Sequence, residues 1–92
     1  MSDLKINNNP FASRFEAPVN GGVAVLDYRI QGDTIFLLYV KVPPQEQGRG
    51  IAGRLSRAAL EFSRASDLKV VPQCPFIATY MRRHPELLQA VR

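Results

Sequence analysis

Between Thr34 and Phe62 the apolar residues change their spacing, and the change restricts the fold more than any other feature of the chain. Ile35, Phe36, Leu37, Leu38 and Val40 follow one another almost without interruption, as in a strand buried on both faces and set in the centre of a sheet. Ile51, Leu55, Ala58, Phe62 and Ala65 instead recur every three or four residues, as on one stripe of a helix. The two patterns are joined by Val42-Pro43-Pro44-Gln45-Glu46-Gln47-Gly48-Arg49-Gly50-Ile51-Ala52-Gly53-Arg54-Leu55, a tight glycine loop between strand and helix. The start of a helix leaves backbone N–H groups unpaired and carries partial positive charge, so a loop that bares them suits phosphate oxygens.

Two common phosphate loops can be tested against these residues. Gly48-Arg49-Gly50-Ile51-Ala52-Gly53 matches the dinucleotide pattern G-x-G-x-x-G, and Gly48 to Gly53 has the spacing that opens a Walker A loop. A Walker A loop requires Lys and then Ser or Thr after its last glycine, and here Arg54 and Leu55 follow; Leu55 cannot bind a metal. The dinucleotide fold requires several β-α-β units and an acidic residue at the end of the next strand. Asp67 precedes that strand, and a chain of 92 residues has room for one crossover.

The rest of the chain agrees with a single small α/β (α+β) domain over residues 14–92. Residues 1–13, with Asn7-Asn8-Asn9-Pro10, read as a loosely held lead-in, and the polar Met1-Ser2-Asp3 is no signal peptide. Arg14 to Val19 reads as a strand at a sheet edge, because Pro18 cannot donate to a ladder. Asn20-Gly21 and Gly32-Asp33 are hairpin turns. Between them Ala24, Leu26, Tyr28 and Ile30 alternate with Asp27 and Arg29, as in a half-buried antiparallel strand. Past the loop, Arg54, Arg57, Glu61 and Arg64 fall toward water, with a Glu61–Arg64 pair expected. Leu68 to Pro72 is a short strand that closes one right-handed parallel crossover with Thr34 to Val42. The expected sheet is mixed, mostly antiparallel, with one parallel β-α-β crossover and a C-terminal helix.

That crossover brings the chemistry to one place. Ligands of open α/β sheets sit at the carboxyl ends of the parallel strands, and that edge carries the glycine loop on one strand and Gln73-Cys74 on the other. Pro75 fits the first position of a helix whose apolar face is Phe76, Ile77, Tyr80 and Met81 and which ends before Pro85. Cys74 then stands at a helix N-terminus, a position that favours thiolate and hence nucleophilic chemistry; a buried structural thiol is the other reading of the same position. His84 reads as a capping or packing residue and Tyr80 as a core aromatic. Arg54 lies in a first helical turn, where the macrodipole disfavours a cation unless an anionic ligand offsets it. One cysteine fits a reducing cytoplasm, no apolar run is long enough to span a membrane, and the net charge of +4 suits an anionic partner.

A third reading of the loop, Gln45-x-x-Gly48-x-Gly50, resembles the acyl-CoA pyrophosphate loop Q/R-x-x-G-x-G/A of the GCN5-related N-acetyltransferases. Val42-Pro43-Pro44 before it, Gly50-Ile51-Ala52 within it, and Val71-Pro72-Gln73-Cys74-Pro75-Phe76 and Arg83-His84-Pro85-Glu86 after it are similar to the short single-domain branch of that superfamily, over roughly Arg14 to Val91. The resemblance implies transfer of an acetyl group from acetyl-CoA to an amine. It places the pyrophosphate on backbone N–H groups from Gln47 to Ala52, with Gly48, Gly50 and Ile51 among them and Arg49 and Arg54 adding charge. The pantetheine arm would enter between Tyr39 to Val42 and Val71 to Gln73, on the backbone of Val40 and Val42. Cys74 is implied as acyl acceptor or thioester contact, and Tyr80 as the group that protonates the departing thiolate. The branch tends to carry His where this chain has Tyr39, and tyrosine, titrating near 10, is a poor general base. A CoA-binding or protein-interaction module without turnover is the alternative. A nucleic-acid binder ranks last, because the chain has neither an aromatic-basic RNA signature nor a zinc ligand set.

Overall fold

The computed structural model describes residues 4–88, and its first strand lies inside the expected lead-in. Strand β1 (Asn7–Asn9) pairs antiparallel with β2 (Arg14–Val19), Asn7 opposite Glu16 and Asn9 opposite Arg14. Residues 7–9 are therefore part of the sheet, and β2 is not an edge strand over its first half. The sequence argument from Pro18 holds locally, since β1 reaches only Arg14, Phe15 and Glu16 and leaves Pro18 beyond its ladder. Met1-Ser2-Asp3 and residues 89–92 lie outside the described residues.

A side chain explains why three asparagines settle as a strand. The Tyr28 hydroxyl donates to Asn8 Oδ1 at 2.7 Å. Burial pushes the Tyr28 phenol above its ordinary value and the bond to Asn8 pulls the other way, so the lead-in supplies the partner a buried hydroxyl requires. Asn8→Ala is expected to cost about 1 kcal/mol, seen as a lower urea midpoint with an unchanged slope.

The two glycine turns act as the sequence indicates. Asn20-Gly21 joins β2 to β3 (Gly22–Gln31), and Gly32-Asp33 joins β3 to β4 (Thr34–Lys41). Helix α1 (Ile51–Ala65) follows the glycine loop and leads into β5 (Lys69–Pro72), which pairs with β4 in parallel; α2 (Pro75–Arg83) comes next. The sheet order is β1-β2-β3-β4-β5, antiparallel except for the last pair, and both helices contribute to one core. Strand β4 is paired on both sides but stands one place from the edge, which β5 forms.

The face of the sheet under the helices carries Phe15, Ala17, Ala24, Leu26, Tyr28, Ile35 and Leu37, all buried. Phe15, Tyr28 and Phe62 of α1 form an aromatic cluster with ring centroids 5.6 to 6.2 Å apart. Ile30, expected to face inward, is exposed although its partner Ile35 is fully buried, because the β2 ladder ends at Asp27 and leaves Ile30 without a strand on that side. The buried stripe of α1 is also rotated from the expected one: Ile51, Leu55, Ser56, Ala59, Leu60 and Ser63 face the core, while Ala58 and Phe62 sit at its margin and Ala65 is exposed. Serines can lie there because each hydroxyl donates back within the helix, Ser56 to the Ala52 carbonyl at 2.8 Å and Ser63 to that of Ala59 at 2.7 Å. Glu61 pairs with Arg57 at 3.2 Å and not with Arg64, the i,i+4 neighbour prevailing over the i,i+3 one.

Candidate active site

The glycine loop is built to present its backbone. After Val42 a 3₁₀ turn, Pro44–Glu46, reverses the chain, and Gly48 and Gly50 then take left-handed conformations with φ of +85° and +78°. Gly50 is the N-cap of α1, and no side chain caps the helix; the first helical bond runs from Arg54 N to Gly50 O at 3.1 Å. The amides of Ile51, Ala52 and Gly53 thus have no capping side chain. The space beyond the loop is open, since a Cβ on Gly48 or Gly50 would meet nothing within 4 Å. A cleft of about 220 Å³ lies there, lined by Val42, the loop residues 46–48 and 50–53, and Phe76.

Several loop side chains face the protein, which holds the backbone in place. Gln45 fills the space that a Cβ on Gly21 would occupy and so braces the loop against the first hairpin. Gln47 Nε2 donates to the Val42 carbonyl at 3.1 Å, occupying a backbone group expected to serve a pantetheine amide. Arg49 reaches back to the buried Glu46 carboxylate, with Nε 3.7 Å from Oε1, so its charge is shared with the protein. Arg54 makes no ion pair among the described residues. Arg49→Ala leaves Glu46 buried without its cation and is expected to lower stability by about 1–2 kcal/mol, whereas Arg54→Ala lowers it by less than about 0.5 kcal/mol; parallel thermal melts check the contrast.

Beside the loop the two parallel strands part. Their pairing runs from Thr34 opposite Lys69 to Leu37 opposite Pro72, and Gln73 N makes a last bond to Leu37 O at 2.8 Å. Strand β4 continues to Lys41 with no β5 partner, while the other chain turns into α2 at Cys74 and Pro75. At the same point β4 carries one extra residue. Asp27 is opposite Tyr39 and Tyr28 opposite Leu37, so Leu38 has no partner on β3. Strict alternation from Ile35 and Leu37 would turn Tyr39 inward. The bulge turns Val40 toward the core instead and leaves Tyr39 on the other face, 47% exposed.

Cys74 is a free thiol at the N-cap of α2, half-buried and packed on the edge of the core, and it lines neither the loop cleft nor its neighbour. That neighbour, a cleft of about 250 Å³, shares Gly50, Gly53 and Phe76 with the first and adds Thr79, Tyr80, Arg83 and His84. Tyr80 stacks on His84, ring centroids 4.0 Å apart, and more loosely on Phe76 at 6.5 Å. His84 caps α2 and donates from Nδ1 to the Tyr80 carbonyl at 2.9 Å. The Tyr80 hydroxyl lies by Arg57, whose guanidinium it pushes above its ordinary value. The phenol expected to serve a leaving thiolate is thus turned to the second turn of α1. Gly53 makes this approach possible, for a Cβ there would stand 3.3 Å from the Tyr80 ring.

The loop, Phe76 and the α1–α2 contact therefore converge, while Tyr39 faces away from them. Sequence reasoning passed over Glu46, Gly53 and Phe76 as parts of the cleft, and Arg14 and Asp27 as neighbours of Tyr39. A glycine inside a helical pattern was a usable signal of close packing; a buried carboxylate in a polar loop gave none.

Comparison with known proteins agrees with this geometry. A family model described as GCN5-related N-acetyl-transferase matches residues 14–91. Protein NATD1 of Xenopus tropicalis is 33% identical over 87 residues, covering 91% of this chain and 80% of that protein. Its human counterpart is 34% identical over 85 residues, covering 89% and 75%. The NMR solution structure of a GCN5-like protein from Staphylococcus aureus superposes with a TM-score of 0.69 at 21% identity, covering 100% of this chain and 91% of that one, which is a likeness of fold.

Proposed function

Because the chain belongs to the GCN5-related N-acetyl-transferase family, we propose that it moves an acetyl group from acetyl-CoA to an amine in a reducing cytoplasm. The observation that carries this reading is the uncapped, glycine-lined start of α1 opening onto a cleft beside the point where β4 and β5 separate. Gly48 and Gly50 leave room for a diphosphate to reach the amides, and a helix start without its own cap suits an anion.

In this reading the amides from Gln47 to Ala52 hold the diphosphate and Arg54, without an ion pair among the described residues, adds its charge. Arg49 acts mainly as the brace that keeps Glu46 compensated. The stacked rings of Phe76, Tyr80 and His84, with Arg83 beside them, suit the nucleotide end, which gives Tyr80 a binding role in place of an acid role. The free edge of β4 at Val40 offers backbone groups to the amide-bearing arm, and the gap between the strands directs that arm toward the sheet. Bound acetyl-CoA supplies an activated acyl thioester. Cys74 stands just past the end of β5, where the strands separate, and in this reading it flanks that thioester or takes the acyl group before the amine does.

Incubation with acetyl-CoA, intact-mass measurement and CoA-release assays with primary amines test the reading. Saturable binding with CoA release supports it, and an added acetyl mass on Cys74 selects the covalent route. Saturable binding with neither release nor adduct across a broad amine panel identifies a CoA-binding module. Absence of binding overturns both.

A further inference from the structure

The face of the sheet turned away from the helices carries a row of polar side chains that no part of the cleft uses. Register places Arg14 of β2 opposite Asp27 of β3, and Asp27 opposite Tyr39 of β4, so the three lie side by side across the sheet at the bulge. Arg14 Nε stands 3.8 Å from Asp27 Oδ1, an ion pair without a full hydrogen bond, and both atoms are buried with no hydrogen-bond partner among the described residues. Glu16, also on β2, is 3.9 Å from the same Arg14 nitrogen. The row ends in the exposed Tyr39 ring, in the part of β4 that has left β5.

We propose that the Tyr39 hydroxyl, backed by Asp27 and Arg14, is the docking point for the ammonium group of the acceptor amine and the first station of the proton it must lose. The proposal rests on the acyl-transfer reading above. Register sets the Asp27 carboxylate beside Tyr39, where it holds the phenol above its ordinary value, as hydrogen-bond acceptor first and by charge second, so Tyr39 is neutral and has an acceptor at hand for its proton. Its oxygen lone pairs are then free to accept from an ammonium N–H, and the negative charge one residue away attracts the cation. Contacts of this kind are often loose before substrate arrives and close around it.

This arrangement removes the objection that a phenol is a poor base, because Tyr39 need never become a phenolate. As the amine N–H proton passes to the Tyr39 oxygen, the phenol proton passes to Asp27, and water takes it from there. The freed nitrogen lone pair forms the N–C bond to the acyl carbon. The C–S bond breaks with its electron pair on sulfur, and the second nitrogen proton goes to that thiolate. Arg14, with Nε 3.8 Å from Oδ1, pairs with the Asp27 carboxylate without saturating its acceptor capacity. Tyr39 is thus a catalytic residue and Asp27 a positioning residue that acts through it.

The test begins with an amine titration that needs no turnover. In the full chain, n-propylammonium is expected to shift the NMR signals of Tyr39 saturably, with or without CoA, and n-propyltrimethylammonium, which has no N–H, to bind about tenfold more weakly or worse. Tyr39→Phe should abolish the preference for the first cation, and Asp27→Asn should return the Tyr39 phenol toward its ordinary titration range. Both variants should bind acetyl-CoA as the parent does, and with an amine that the parent acetylates, Tyr39→Phe should lower kcat about 100-fold with a smaller change in KM for acetyl-CoA. Equal binding of the two cations, or a Tyr39→Phe protein that keeps the preference, overturns the ammonium site. Loss of acetyl-CoA binding by the parent itself would instead strike the functional reading and leave the amine titration to decide this one.

Discussion

Gly50→Val is expected to reduce acetyl-CoA affinity by about 100-fold or more while the protein stays folded. Two effects combine at this residue. Its φ of +78° is a conformation that a non-glycine residue adopts only at a cost of about 1–2 kcal/mol, and β-branching restricts the side chain further. No atom lies within 4 Å of the position its Cβ would take, so the unliganded protein has no clash to relieve and the melting temperature should fall by only several degrees. That empty space is the cleft itself, however, and a valine would stand over the amides of Ile51 and Ala52. Denying a diphosphate two charge-assisted hydrogen bonds, each worth about 1.5–3 kcal/mol, accounts for the loss. Calorimetric titration alongside a thermal melt checks both halves of the prediction. Full affinity in a folded Gly50→Val protein would move the site away from the loop.

Leu55→Ala should produce the largest loss of stability, about 3 kcal/mol. Leu55 is fully buried one turn into α1 and is among the side chains that fix the start of the helix over the sheet. A domain of this size has roughly 5–15 kcal/mol in total, so the melting temperature should fall by about 10–20 °C. Because the cavity lies under the turn that bears the open amides, acetyl-CoA affinity should weaken as well, but recover on cooling. Gly50→Val should show no such recovery, and the temperature dependence of binding separates damage to the support from damage to the contact.

The legible parts of this fold are those set by local chemistry. Asn20-Gly21 and Gly32-Asp33 are two-residue turns that few other conformations suit, and the switch from strand spacing to helical spacing around Gly48 and Gly50 fixes the crossover. The misread parts depend on partners distant in sequence. Asn7–Asn9 became a strand because Tyr28 required an acceptor. Ser56 and Ser63 entered the core because their hydroxyls could be satisfied inside the helix, which a hydropathy stripe cannot register. The site divides in the same way. The glycine loop and its place at the strand ends were readable, whereas the tether of Arg49 to Glu46, the turn of Tyr80 toward Arg57 and the alignment of Arg14, Asp27 and Tyr39 follow from register and packing.

The unpaired Leu38 sets a parity for the strand that contains it. Removing that single residue would give simple alternation with both sides unchanged, Leu37 inward, Tyr39 outward and Val40 inward, so the bulge takes up one surplus residue without exchanging the faces. Loss or gain of one residue elsewhere between Thr34 and Lys41, where no bulge takes it up, would exchange the faces, disarming the outer row and spoiling the interior in the same stroke.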